Sequence, residues 1–224
     1  MEYVLIRSNR KTIGIRVRPD TVVEVRAPGN VSKTEIDRVV ALKQKWIEKH
    51  LAACKQALEK KKEFQLSYGD TVAMQGKTYP ISERIGDRIG FDGKSFYLPP
   101  GLSTEEVKYA VIQIYKMVAK NLLTKKVIDY AKLMKVNPIA VKVNSAKTRW
   151  GSCSTHNSIN FSWRLIMADD DIIDYVVVHE LAHISEHNHS KQFWAIVESV
   201  LPDYKTRLGK LKELQKRLAD EDWE

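Results

Sequence analysis

Short stretches of alternating apolar and polar residues open the chain: Tyr3-Val-Leu-Ile-Arg, Ile13-Gly-Ile-Arg-Val-Arg and Thr21-Val-Val-Glu-Val-Arg. A period of two turns one side of each stretch to a core and the other to water, so three strands are predicted. The polar turn residues between them suggest an antiparallel meander. Pro28-Gly-Asn-Val-Ser ends the pattern. Ser32 or Thr34 then caps a helix running to about Lys62, with an apolar stripe of Val39, Val40, Ile47, Leu51 and Leu58. Strand-like alternation returns over 64–98, cut by the turn pairs Gly69-Asp70, Gly76-Lys77, Gly86-Asp87 and Asp92-Gly93.

Ser103-Thr-Glu-Glu opens a long helix in the manner of a capping box, and Val107, Val111, Ile114, Val118 and Leu122 carry its helical period towards Lys135. A strand over 140–144, a turn around Arg149–Cys153 and a strand over 159–166 predict a small hairpin. Asp169-Asp-Asp caps a helix beginning near Ile172, where negative charge suits the helix N-terminus. Two more helical patterns follow, over 190–201 and 205–218. There is no internal repeat and no low-complexity linker. The expected class is α+β: a β-rich N-terminal region with one long helix (1–100), then a helical domain bearing a small β-hairpin (101–224).

The 224 residues suffice for one large domain or two small ones, and 43% apolar content is that of a folded chain. No run approaches the ~18 apolar residues of a membrane-spanning helix, so no membrane partner is expected. Met-Glu-Tyr-Val-Leu-Ile-Arg lacks the apolar segment of a secretory signal. Cys54 and Cys153 are too few for a disulfide framework or a thiolate zinc cage, and read as reduced, buried thiols of a cytoplasmic protein. The net charge of +9 is uneven: residues 1–63 hold 15 Lys/Arg against 8 Asp/Glu, the remainder 22 against 20. A basic N-terminal lobe suggests nucleic acid or another polyanion as a partner. It carries no recognisable nucleic-acid motif, and Lys43, Lys49 and Lys60–Lys62 serve equally well to solvate a helix.

The informative segment is Asp174-Tyr-Val-Val-Val-His179-Glu180-Leu-Ala-His183-Ile-Ser-Glu-His187-Asn188-His189. On a helix, His179 and His183 leave one face four residues apart, within reach of one metal ion. Glu180 stands about 100° around, beside the metal, where a general base can take a proton from metal-bound water. The bland alternative is a pair of core or surface histidines. The apolar run Ile172–Val178 argues against it, because it buries the helix and makes unpaired polar groups there costly.

A catalytic zinc site takes three protein ligands and keeps one position open. On a continuous helix His187 would lie about 12 Å along the axis from His179, too far to converge. The helix must therefore stop, with Asn188 as a left-handed terminator, so that the chain can return His189 to the metal. Glu198 on the following helix is the rival third ligand, and His187 a candidate for polarising a bound carbonyl. The ten-residue spacing from His179 to His189 also fits metzincins. That class is rejected because position 186 is Glu rather than Gly and no methionine follows Met167.

Four motifs, Arg149-Trp-Gly-Ser-Cys-Ser, Ile159-Asn-Phe-Ser-Trp-Arg-Leu-Ile, Tyr175-Val-Val-Val-His-Glu-Leu-Ala-His and His189-Ser-Lys-Gln-Phe-Trp, in this order, resemble the YgjP-like metallopeptidase family, zincins related to the SprT and WLM peptidases. The resemblance implies a zincin-like domain binding one Zn²⁺ per chain through His179, His183 and His189. It also implies Glu180 as catalytic acid/base and a peptide or protein as substrate.

Arg149, just before the active-site helix, is the candidate for stabilising the oxyanion, or else a salt-bridging residue that holds the hairpin down. Trp150, Trp163 and Trp194 are expected to pack in the core or line the cleft. Two other readings stay open. One is a zinc hydrolase acting on a small amide or a nucleotide phosphoanhydride, and the other a metal-stabilised nucleic-acid-binding module. The second would leave Glu180 without a task.

Overall fold

The computed structural model describes residues 1–223 and is α+β: six α-helices, one 3₁₀ helix and three small sheets among the described residues. The chain divides into two compact units, Met1–Phe64 with Leu218–Asp222, and Gln65–Arg217 with Trp223.

In the first unit, β1 (Val4–Arg7), β2 (Gly14–Val17) and β3 (Val23–Ala27) form a sheet in the order β1-β3-β2. β2 and β3 make the expected antiparallel hairpin, but β1 lies parallel to β3, so the meander expected from the sequence does not form. The central strand is the one with most to bury: Val23, Val25 and Ala27 are enclosed, whereas both flanking strands are half in water. Helices α1 (Lys33–Leu42) and α2 (Gln44–Glu63) contribute Ile36, Val40 and Ile47 to the same core. Ser32 is the N-cap, its Oγ accepting from the Glu35 N–H at 3.2 Å. The single helix expected here breaks at Lys43, where ψ is 8°. The inner seam between Val40 and Ile47 offers only Lys43 and Gln44, so no apolar burial holds that turn regular.

In the second unit, β4 (Thr71–Met74), β5 (Lys77–Glu83), β6 (Gly90–Phe91) and β7 (Phe96–Leu98) form a sheet in the order β4-β5-β7-β6. The helix α3 (Thr104–Met134) is the unit's axis. A capping box of Ser103 and Glu106 opens it and left-handed Lys135 (φ 55°) closes it. Its buried residues include Val107, Val111, Ile114, Ala119, Leu123 and Val127. Tyr115 is also fully buried, donates its hydroxyl to the Ala73 carbonyl at 2.6 Å and stacks on Trp163 at 5.6 Å between ring centres.

β8 (Ala140–Asn144), β9 (Gly151–Cys153) and β10 (Ser158–Ser162) form the third sheet, in the order β8-β10-β9. The hairpin expected of β8 and β10 does not form, because those two strands run parallel; β10 pairs antiparallel instead with β9, which occupies the stretch expected to be the turn. The second hairpin strand stops at Ser162 rather than Ile166, because Trp163–Met167 winds into a 3₁₀ turn that buries Trp163, Leu165 and Ile166 together. Helices α4 (Asp170–Ser185), α5 (Lys191–Val200) and α6 (Tyr204–Ala219) complete the chain. Cys54 and Cys153 are free and half-buried. No helix among the described residues is long and apolar enough to cross a membrane.

Candidate metal centre

Helix α4 starts at Asp170, two residues before the expected Ile172, with Asp169 in the N-cap position. The acidic run does not cap with its side chains. Instead, Asp170 and Asp174 receive Lys126 of α3 at 2.9 and 2.6 Å, and Asp171 receives Lys210 of α6 at 2.8 Å. These ion pairs and the buried face Ile172, Ile173, Tyr175–Val178, Leu181 and Ala182 hold α4 in place.

Near its C-terminal end the helix carries His179, Glu180 and His183. It stops at Ser185. Glu186 is extended (φ −143°), and Asn188 is not left-handed, contrary to the terminator role expected for it. The Glu186 carbonyl sits 3.2 Å from His183 Nδ1, and the Ser190 N–H donates to the Asn188 carbonyl at 2.7 Å. Ser190 then caps α5 by accepting from the Phe193 N–H at 3.2 Å. This short return brings His189 back over the helix.

The ligand atoms of His179, His183 and His189 all lie within 4.8 Å of one another. The three ring centres form a nearly equilateral triangle with sides of 5.1, 5.0 and 4.8 Å. His179 Nε2 and His189 Nε2 are 3.1 Å apart. A tetrahedral site with metal–nitrogen bonds of ~2.0–2.1 Å needs roughly 3.3 Å between ligand atoms, so the three imidazoles fit a divalent ion. Glu198 lies exposed on α5 outside this group, and His187 is exposed on the loop. Burial, and then repulsion from His183 and His189, pushes the His179 pKa down to about 3, so this ring is neutral, as a metal ligand must be.

Glu180 is buried (6% exposed) and hydrogen-bonds to nothing among the described residues. Burial raises its pKa to about 7 against the opposing charge of Arg149. Space for it comes from the edge strand β9. A Cβ on Gly151 would lie 2.6 Å from Glu180 Cγ and Oε1, so only glycine lets strand and carboxylate pack so closely. Nothing in the sequence singled out this glycine, which read as one residue of a turn; a glycine inside a strand is the signal for such an approach. Arg149 is exposed on the loop before β9 and makes no ion pair among the described residues, so the expected alternative of a salt bridge is not seen.

Aromatic side chains surround the three histidines. Phe193, fully buried, lies 4.9, 4.5 and 4.7 Å from the ring centres of His179, His183 and His189. Trp194 packs against His179 and His189, and also stacks with Tyr204 at 5.2 Å. Trp163 is a core residue, as expected, whereas Phe193 was missed as an individual residue; its place four after His189 was the available signal.

The sequence profile of a family described as YgjP-like, metallopeptidase domain, matches residues 11–214. The metallopeptidase zymogen of Pyrococcus abyssi abylysin is 21% identical, over 43% of this chain and 90% of that one, with a TM-score of 0.35. The metallopeptidase zymogen of Methanocaldococcus jannaschii jannalysin is 20% identical over 42% and 95%, with a TM-score of 0.37. No curated protein matches the chain.

Proposed function

Because the chain belongs to the YgjP-like metallopeptidase family, we propose that it hydrolyses peptide bonds with one zinc ion held by His179, His183 and His189. The observation that carries this reading is the triangle of three imidazoles, all within 4.8 Å, beside a buried and unpaired carboxyl group. Three neutral nitrogen donors with a fourth direction left open suit zinc in a catalytic role; structural zinc sites are closed by four ligands and are commonly rich in cysteine. Held there, zinc would supply Lewis acidity towards the scissile carbonyl and the attacking water.

The protein's own groups do the rest. Glu180 takes the proton of the attacking water and returns it to the leaving amine, a task for which burial, by favouring the protonated form of the carboxyl group, prepares it. Arg149, whose charge reaches Glu180, is the cation available to the developing oxyanion. The substrate is a peptide or protein, and the two free cysteines suit a reducing cytoplasm.

The test is metal content and peptide hydrolysis after mild chelation and zinc repletion. Wild type should hold one zinc per chain, and His189→Ala should bind it far more weakly. Glu180→Gln should keep its zinc and lose at least ~100-fold in turnover. Full occupancy in His189→Ala, or full activity in Glu180→Gln, would overturn the assignment.

A further inference from the structure

A histidine that binds a metal through one ring nitrogen ordinarily donates from the other to a carboxylate, carbonyl or water, and that bond fixes the orientation of the ring. His183 follows the rule, with its Nδ1 on the Glu186 carbonyl. The other two find no protein partner for that bond among the described residues. His179 Nδ1 is buried with no hydrogen-bond partner. His189 sits on a short exposed loop, and its only ring contact through nitrogen among the described residues is the 3.1 Å approach to His179.

What these two rings have instead is aromatic packing. Phe193 meets both at steep angles, 74° to His179 and 72° to His189, while lying tilted at 34° to His183. Trp194 lies nearly parallel to His189, at 5.7 Å and 28°, and contacts His179 at 5.9 Å. Trp194 is itself stacked with Tyr204 at 17°. Both residues stand in the first turn of α5, whose start is fixed by the Ser190 cap immediately after His189.

We propose that Phe193 and Trp194 are positioning residues of the metal centre, their rings setting the orientation of His179 and His189 that a hydrogen bond to the second ring nitrogen would otherwise set. The inference rests on the three-histidine metal reading. Each imidazole has two faces and two edges, and burying a face or an edge against a fixed ring removes rotation about the Cβ–Cγ bond as surely as a single hydrogen bond does. A metal is bound tightly only when its ligands are already aimed, so loosening either contact lowers affinity without removing a ligand.

The experiment is cobalt(II) binding by chelator competition, read together with the visible spectrum of bound cobalt, whose band positions and intensity report coordination geometry. Thermal unfolding of the metal-free proteins is measured in parallel. Trp194→Leu and Phe193→Leu should weaken cobalt binding by roughly 10- to 100-fold and alter its spectrum. Trp194→Phe, which keeps a flat ring against His189, should return towards wild type. Wild-type affinity and spectrum in Trp194→Leu would overturn the proposal, as would equal losses in Trp194→Leu and Trp194→Phe. Should Phe193→Leu fail to fold, the Trp194 pair decides alone, because that side chain is only half-buried. A wild type that binds no cobalt would overturn the metal reading itself, an outcome separate from loss in the variants.

Discussion

Helices α3 and α4 pack against one another in the second unit, and both are buried along much of their length, yet they treat polar groups in opposite ways. On α3 each buried or half-buried polar group described above has a partner. Tyr115 donates to the Ala73 carbonyl, Lys126 bridges Asp170 and Asp174, and the first turn is closed by Ser103 and Glu106. Burial would lower the Lys126 pKa, but the hydrogen bonds that it donates to Asp174 and Asp170 outweigh it and raise the value. On α4 the same burial leaves Glu180 without a hydrogen bond and His179 Nδ1 without a partner. An unpaired buried polar group costs about 1–3 kcal/mol, so a fold keeps several side by side only where a ligand or a reaction uses them.

The contrast is open to attack at three points. The largest change in stability is expected for Lys126→Met, which leaves two carboxylates, one of them mostly buried, facing an apolar chain. Because Asp170 remains half in water, the loss should be about 2 kcal/mol in denaturant unfolding. No loss would mean that α3 is not held by the compensation described here. Glu180→Leu should act with the opposite sign. It removes an unpaired buried carboxyl group and should stabilise the metal-free protein by ~1 kcal/mol while abolishing hydrolysis. A destabilised variant would show that the charge of Arg149, or the close packing of Gly151, outweighs the cost of burying the carboxyl group.

The smallest effect belongs to Asp92, a fully paired carboxylate at the turn before β7. The backbone N–H groups of Ser95 and Lys94, with Arg84, lower its pKa to about 2. A carboxylate depressed below its unfolded value contributes stability that is fully present above about pH 4 and is lost as pH falls through 2. A carbon-13 titration should therefore give a midpoint near 2; one near 3.8 would break this end of the comparison.

Local patterns were legible wherever the residues that decide a feature lie within a turn or two of each other. The capping box at Ser103, the antiparallel pairing of β2 with β3 and the helix carrying His179, Glu180 and His183 are of this kind. The same holds for the helical pattern over 190–201, in which Ser190 proves to be the cap that launches α5. Features set by distant partners were not legible. The parallel pairing of β1 with β3 depends on which strand has most to bury, and the 3₁₀ turn at Trp163 depends on Tyr115 of α3.

At the site, spacing alone brought His179 and His183 to one helix face, because the helical period of 3.6 residues does so in any context. The sequence also required the chain to turn back after His183, since no residue further along a straight helix could converge. Only the tertiary structure decided that the helix stops at Ser185, that His189 and not Glu198 returns, and that Phe193 lies beneath all three rings. It alone pressed Gly151 against Glu180. Periodicity is a property of one element and can be counted along the chain. The aim of a side chain and the burial that shifts its pKa are properties of several elements packed together, and they exist only once the fold has formed.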